Sequence, residues 1–175
     1  VVVDDSIVRG ITLREAIMTQ LARLNPKRII FISSCPPILY PDCYGIDMSQ
    51  LNKFIAFQAA KEIVKEKNNY ELIEMITRQC LRQNNKITDE IFNYIEQLYA
   101  QCSHFEIEKK VAELVRPKNL DWEGELIIMY QTIEGLHAAI PHYTGDWYFT
   151  GNYPTKGGFQ VINRSYVNQY HGHDI

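Results

Sequence analysis

The sequence has no long hydrophobic run, no excess of charge of one sign and no pattern typical of a signal peptide, and each absence removes a class of protein. A membrane-spanning helix needs about 20 apolar residues, and no stretch of this chain approaches that length. Its 18 basic and 21 acidic side chains give a net charge of −3, and the basic ones form no stripe of the kind that binds nucleic acid. We therefore expect neither a membrane nor a nucleic acid as a partner.

Cysteine is scarce and scattered. The four cysteines lie at positions 35, 43, 80 and 102 and include no CxxC pair. We expect free thiols in a reducing cytoplasm rather than disulfides, and hence a cytoplasmic protein. With 46% hydrophobic residues, the 175-residue chain is long enough to bury one sizeable core.

The start of the chain is its most informative segment. An apolar run, Val1–Val3, ends in two carboxylates, Asp4 and Asp5, and a short loop containing Gly10 leads into a helix. Ligands of α/β proteins bind at the carboxyl edge of a parallel sheet, where such a loop would lie. Carboxylates there accept hydrogen bonds from vicinal hydroxyls or bind a divalent cation, and a helix N-terminus attracts a phosphate dianion. The order of residues thus predicts a sugar-phosphate site.

The helix after this loop is predicted to begin at Thr12, because Thr12 and Glu15 match a capping box. Apolar residues follow at helical spacing as far as Asn25, and Pro26 ends the run. The apolar stretch 27–34 then predicts a buried parallel strand, so that strand, helix and strand form a right-handed βαβ unit. We predict an α/β fold, with a parallel sheet flanked by helices.

The middle of the chain is predicted to form a loop followed by helices. Pro and Gly residues predict a loop as far as Met48, and a helix is predicted from Ser49. Three further helices are predicted over residues 70–83, 88–102 and 104–115. We interpret residues 68–118 as a helical insert that contributes to the core or, alternatively, to a subunit or interdomain contact.

The sheet is predicted to resume near the C-terminus. Residues 125–131 form an apolar strand, and a short helix is predicted over 132–139. Residues 142–175 are rich in Tyr, Gly and Asn and have little periodicity, so they are predicted to form an irregular C-terminal tail. On this reading, residues 1–141 form the sheet-containing domain.

Three segments carry a resemblance to a known family. Val1–Thr12 resembles the phosphoribosyl pyrophosphate (PRPP) motif of type I phosphoribosyltransferases, in the variant carried by the glutamine amidophosphoribosyltransferases. Tyr40–Met48 resembles the segment after the next strand of these enzymes, and Tyr148–Thr155 resembles a block near their C-terminus. The likeness covers residues 1–65 well and 124–158 in patches. It implies a partial type I phosphoribosyltransferase sheet and, since the chain opens inside a strand without an initiator methionine, a C-terminal fragment of a longer enzyme.

The resemblance implies a substrate site in the first loop. Asp4 and Asp5 would bind the ribose hydroxyls and a Mg²⁺ ion, and the residues after them would hold the 5′-phosphate through N–H groups and hydroxyls, with Gly10 allowing close approach of the backbone. The implied substrate-binding residues are Asp4, Asp5, Ser6, Ile7, Val8, Arg9, Gly10, Ile11 and Thr12. Tyr44 and Asp47 would either touch the substrate or only pin their loop. No side chain of this chain is expected to act as a nucleophile.

Two departures from the family pattern bear on the phosphate site and on the expected cofactors. Ile11 stands where the family usually has a threonine, so either a phosphate donor worth about 1–2 kcal/mol is lost or Ile11 packs inward. Residues 142–147 contain no cysteine, although some members ligate an iron–sulfur cluster close to the matching block. Because the scattered cysteines cannot readily supply four ligands, we expect Mg²⁺ but no iron–sulfur cluster.

The implied reaction is attack of ammonia on the anomeric carbon of PRPP, with loss of pyrophosphate, to give 5-phosphoribosylamine for purine synthesis. Ammonia would come from an upstream glutaminase domain, purine nucleotides are candidate feedback inhibitors, and a homo-oligomer is expected. Catalysis would depend on positioning and on Mg²⁺. Because the pyrophosphate-side loop and the glutaminase would lie upstream, the chain alone is expected to be inactive.

Three alternatives stay open at this point. A phosphoribosyltransferase acting on a nucleobase would share the first loop, although the Tyr40–Met48 block argues against it. A PRPP-binding regulatory homologue without catalysis would also keep the motif, and Ile11 is compatible with it. An interaction-only helical domain would explain residues 70–115 but not the first loop.

Overall fold

The computed structural model describes residues 1–42, 48–83, 91–142 and 145–171, and its three strands form a parallel sheet. β1 (Val2–Asp4) pairs with β2 (Arg28–Ser33), which pairs with β3 (Glu125–Tyr130), in the order β1-β2-β3. The predicted α/β class, with helices flanking a parallel sheet, is confirmed. No helix among the described residues is long and apolar enough to cross a membrane.

Helix α1 connects β1 to β2 and consists of three consecutive segments. An α-helical turn, Gly10–Thr12, continues as π-helix over Leu13–Met18 and returns to α-helix over Thr19–Arg23. Asn25 then adopts a left-handed conformation with φ 49° and ends the helix, as predicted.

The predicted start of α1 at Thr12 is wrong. Thr12 already has helical backbone angles and its side chain caps nothing, whereas Arg9 is extended and the helix begins at Gly10. The start is set by packing, because Gly10 is buried against the side chain of Ile55. A local capping pattern does not contain that contact.

Four of the eight helices in the described part of the chain lie in the crossover from β2 to β3. They are α2 (Ile55–Glu66), preceded by a 3₁₀ turn at Leu51–Lys53, α3 (Tyr70–Gln83), α4 (Glu96–Tyr99) and α5 (His104–Val115). The helices predicted over 70–83 and 104–115 are confirmed, while the helix predicted from Ser49 begins only at Ile55. Of the helix predicted over 88–102, residues 91–102 form only α4, with turns and irregular backbone on either side of it, and residues 88–90 lie outside the described residues.

The region after β3 corrects the prediction of an irregular tail. It contains α6 (Ile133–Ala139), α7 (Trp147–Thr150) and a long helix, α8 (Lys156–His171). The apolar period of α8 is broken because the helix buries polar residues that bond to loop backbone. Asn163 Nδ2 donates to the Phe92 carbonyl at 3.0 Å, and Ser165 Oγ donates to the Ser49 carbonyl at 2.7 Å.

Buried side chains form two clusters, and α2 contributes to both. One cluster lies between the sheet and helices α1, α2 and α5, and includes Phe31 and Ile128. The other joins α2, α3, α4 and α8, and includes Leu51 and Ile162. The helices of residues 68–118 therefore contribute to the core, as one of the two interpretations held. The domain boundary at residue 141 stays a prediction.

Candidate functional site

The first loop lies at the carboxyl edge of the sheet, where β1 ends at Asp4, and it borders a pocket of about 410 Å³. Six of the nine residues predicted for the substrate site line this pocket; they are Asp4, Ser6, Ile7, Val8, Arg9 and Thr12. The pocket is completed by four apolar residues that the predicted substrate site did not include: Leu13, Ile17, Phe31 and Met48. A volume of this size is within the range of small-molecule sites.

The two carboxylates occupy a tight turn. The Asp5 N–H donates to Asp4 Oδ1 at 3.0 Å, and the Ser6 N–H donates to Asp5 Oδ1 at 2.8 Å. Neither aspartate forms an ion pair with any side chain in the described part of the protein. Oxygens not used in the turn remain available for sugar hydroxyls or a cation, and Mg²⁺ typically takes one or two carboxylates beside water and phosphate oxygens. The donor set therefore fits a Mg²⁺–substrate complex.

The phosphate side of the pocket is built from the loop and the start of α1. The hydroxyl residues Ser6 and Thr12 both line the pocket, as does Arg9. Among the described residues no side chain caps α1, and the first N–H groups of the helix point toward the loop. Such groups, together with the helix dipole, favour a bound phosphate.

Asp5, Gly10 and Ile11 do not line the pocket. For Gly10 and Ile11, the surroundings differ from those that the sequence suggested. A Cβ atom on Gly10 would lie 2.5 Å from Ile55 Cδ1, so this glycine allows close packing of α1 on α2. Ile11 is 61% exposed, and the alternative that it packs inward is therefore wrong.

Sequence reasoning missed the end of β2, which borders the acidic turn. The N–H and the hydroxyl of Ser34 both donate to the Asp4 carbonyl, at 2.9 and 3.0 Å. Burial raises the pKa of the neighbouring Cys35 thiol, a hydrogen bond with Ser33 opposes that effect, and the charges of Asp5 and Asp4 raise the pKa further. The only signal in the sequence was the pair of small polar residues at the end of an apolar strand.

The two other segments that carry the family resemblance contact each other. The N–H groups of Leu39 and Tyr40 donate to the Tyr148 carbonyl, at 2.9 and 3.1 Å, and the Tyr153 hydroxyl donates to the Pro41 carbonyl. The C-terminal block thus holds the loop whose far end, Met48, lines the pocket. Tyr44 and Asp47 lie outside the described residues.

Comparison with known proteins finds amidophosphoribosyltransferases repeatedly. The chain is 38% identical over 92 residues to that of Pasteurella multocida, which covers 50% of this chain and 18% of the relative. It is 47% identical over 55 residues to that of Haemophilus influenzae, covering 31% and 11%, and 32% identical over 140 residues to that of Saccharomyces cerevisiae, covering 73% and 26%.

Partial stretches of the chain are thus similar to amidophosphoribosyltransferases from diverse species, as expected for a fragment of such a protein. The chain spans no more than 26% of the length of these three relatives. No protein-family model matches the chain, and no solved structure matches it significantly. The amidophosphoribosyltransferase likeness therefore rests on sequence relatives.

Proposed function

We propose that the pocket beside Asp4 binds the ribose 5-phosphate part of PRPP, and that the whole protein makes 5-phosphoribosylamine in purine biosynthesis. The observation that carries this proposal is the convergence of acidic, hydroxyl and backbone donor groups on one pocket at the carboxyl edge of the sheet. Relatives named amidophosphoribosyltransferase support the assignment to a transferase.

Each polar group in or beside the pocket has a role that follows from its chemistry. Asp4 accepts hydrogen bonds from the ribose hydroxyls, and Asp5, on the exposed side of the turn, completes the acidic pair that holds Mg²⁺. The N–H groups at the start of α1 and the hydroxyls of Ser6 and Thr12 bind the 5′-phosphate, to which Arg9 adds positive charge. These contacts hold the sugar, so that the anomeric carbon stays within reach of the nucleophile.

The proposed reaction exchanges one bond at the anomeric carbon. The ammonia nitrogen forms a C–N bond as the C–O bond to pyrophosphate breaks; pyrophosphate leaves with the bonding electrons, and the surplus proton on nitrogen passes to solvent. Mg²⁺, when bound, neutralises charge on the leaving group. The side chains of this chain orient the ribose and need not form a covalent intermediate.

The remaining parts of the proposal derive from the family resemblance. They are ammonia supplied by a glutaminase domain, inhibition by purine nucleotides, homo-oligomerisation, a cytoplasmic location and the absence of an iron–sulfur cluster. The isolated 175-residue chain is proposed to be inactive.

Binding of ribose 5-phosphate tests the site. Calorimetric titration of the protein in the presence of Mg²⁺ should show saturable binding, and combining Asp4→Asn with Asp5→Asn should weaken it at least about tenfold, because hydrogen bonds to charged groups contribute about 1.5–3 kcal/mol each. Asp121→Asn is the matched control, since Asp121 is exposed and precedes β3 at the opposite edge of the sheet. Wild-type affinity in the double variant would refute the site.

Turnover separates the proposed enzyme from its alternatives. With PRPP and ammonia, the whole protein should release pyrophosphate at a rate that depends on both substrates. Binding without turnover would instead identify a regulatory homologue. Pyrophosphate release with a nucleobase, but not with ammonia, would identify a different phosphoribosyltransferase.

A further inference from the structure

The peptide unit between Asp4 and Asp5 is held at both of its ends. Its N–H, which belongs to Asp5, donates to the Asp4 carboxylate at 3.0 Å. Its carbonyl, which belongs to Asp4, accepts two hydrogen bonds from Ser34, one from the N–H at 2.9 Å and one from the hydroxyl at 3.0 Å. The direction of the Asp4 carboxylate is thus linked, through one rigid peptide plane, to a residue on the neighbouring strand.

The two bonds from Ser34 differ in what they require. The N–H bond continues the ladder between β1 and β2 beyond the pair Asp4 and Ser33, and every residue except proline can supply it. The hydroxyl bond requires serine or threonine. Ser34 is exposed and does not line the pocket. Its hydroxyl therefore fills no space in the core or in the pocket wall.

We propose that Ser34 is a positioning residue for the acidic pair. Its hydroxyl fixes the Asp4–Asp5 peptide plane and thereby orients the Asp4 carboxylate toward the ribose hydroxyls. This inference rests on the proposed PRPP site, to which it adds a residue outside the first loop.

The expected effect is moderate and specific. Without the hydroxyl the Asp4 carbonyl keeps one donor instead of two, and the peptide plane, with the carboxylate attached to it, is held less firmly. One hydrogen bond of this kind changes an equilibrium by about two- to tenfold. Because Ser34 is exposed and its ladder bond remains, the fold should be little affected.

The test compares Ser34→Ala with Ser34→Thr in the whole protein, since the isolated chain is proposed to be inactive. For Ser34→Ala we expect the Kd for ribose 5-phosphate with Mg²⁺, and the KM for PRPP in turnover, to rise about two- to tenfold, while kcat stays within about twofold. Ser34→Thr keeps a hydroxyl at the same position and should restore both constants to near the wild-type values. The matched control is Ser103→Ala, which removes a helix-capping hydroxyl at the start of α5 and should lower Tm with no change in Kd.

Two results would overturn the inference. One is a Ser34→Ala variant with wild-type Kd and KM, whatever its Tm. The other is a Ser34→Thr variant as impaired as Ser34→Ala, which would show that the hydroxyl is not the group that matters. Failure of the proposed site itself is distinguished by the Asp4→Asn, Asp5→Asn variant in the same assay: if that variant binds normally, both proposals fall, and if only Ser34→Ala binds normally, the site stands without this residue.

Discussion

Gly10 shows how one residue connects the first loop to the core. Its backbone approaches α2 so closely that a methyl group there would lie 2.5 Å from Ile55 Cδ1 and 3.0 Å from Cγ1. Ile55 is itself buried, and its N–H donates to the Val8 carbonyl at 2.9 Å. The position of the phosphate-side loop therefore depends on the absence of a side chain at Gly10, which lets this part of the chain pack directly against Ile55.

Gly10→Ala should lower the free energy of unfolding by about 1–3 kcal/mol, because overpacking forces Ile55 to move. Ile55→Val removes Cδ1 and should recover part of that loss when combined with Gly10→Ala, which a double-mutant cycle in urea unfolding would measure. Gly157→Ala is the control, since a methyl group there meets only Thr155 Oγ1, at the ordinary distance of 3.5 Å. Equal effects at the two glycines would contradict this account of Gly10.

At the scale of the secondary-structure elements, helix α5 has a capping box at its N-terminus. The hydroxyl of Ser103 accepts from the Glu106 N–H at 3.2 Å, and the Glu106 carboxylate accepts from the Ser103 N–H at 2.8 Å, which is a full capping box. Lys67, just beyond α2, adds an ion pair to Glu106 at 2.7 Å. The hydrogen bond from Lys67, followed by those from Ser103, lowers the pKa of Glu106 from 4.5 to about 2.

This lowered pKa predicts a pH dependence of stability with a definite sign. A carboxyl whose pKa is lower in the folded state stabilises the fold above its unfolded pKa, and the contribution is lost as pH falls from about 4.5 toward about 2. Glu106→Gln should therefore destabilise the protein at pH 7 and flatten the fall in unfolding free energy across that interval. Because the Glu106 side chain is partly exposed to solvent, added salt should diminish the effect.

The measurement is urea unfolding at a series of pH values for the wild type, Glu106→Gln and Glu71→Gln. Glu71 is exposed in the first turn of α3 and serves as the control. A slope between pH 4.5 and 2 that is unchanged in Glu106→Gln would rule out the predicted linkage.

At the scale of the whole molecule, the last helix completes a core that begins near residue 38. Ile162 is 0% exposed and Tyr166 1% exposed, in the cluster that contains Tyr40 and Leu51. The Leu51 N–H donates to Ser165 Oγ at 2.8 Å across 114 residues of chain. The loop beside the pocket is thus supported by the C-terminal helix.

Ile162→Ala should therefore cost about 2–5 kcal/mol of unfolding free energy, since a fully buried side chain is replaced by a cavity. Val161→Ala, at the half-buried neighbouring position, should cost clearly less. Urea unfolding of both variants checks this prediction. Losses of equal size would show that α8 does not pack as described.

Local order in the sequence determined the β1–α1–β2 unit and the strand β3. The apolar run of residues 29–32 lies in β2, where buried and half-buried side chains alternate, and the period of Leu13, Ile17 and Leu21 matches a helix, so neighbouring residues suffice to predict both. The acidic pair and the loop after it were predicted for the same reason, since the end of a parallel strand fixes which edge of the sheet they occupy.

Only the tertiary structure decided the features that depend on distant partners. Gly10 rather than Thr12 begins α1 because Ile55 packs there, the buried polar residues of α8 find partners because loop backbones lie beside that helix, and Ser34 reaches Asp4 because β1 and β2 pair. The physical reason is common to all three. Periodicity and capping patterns record interactions between residues a few positions apart, whereas these contacts join segments 30 or more residues apart and exist only once the chain has folded.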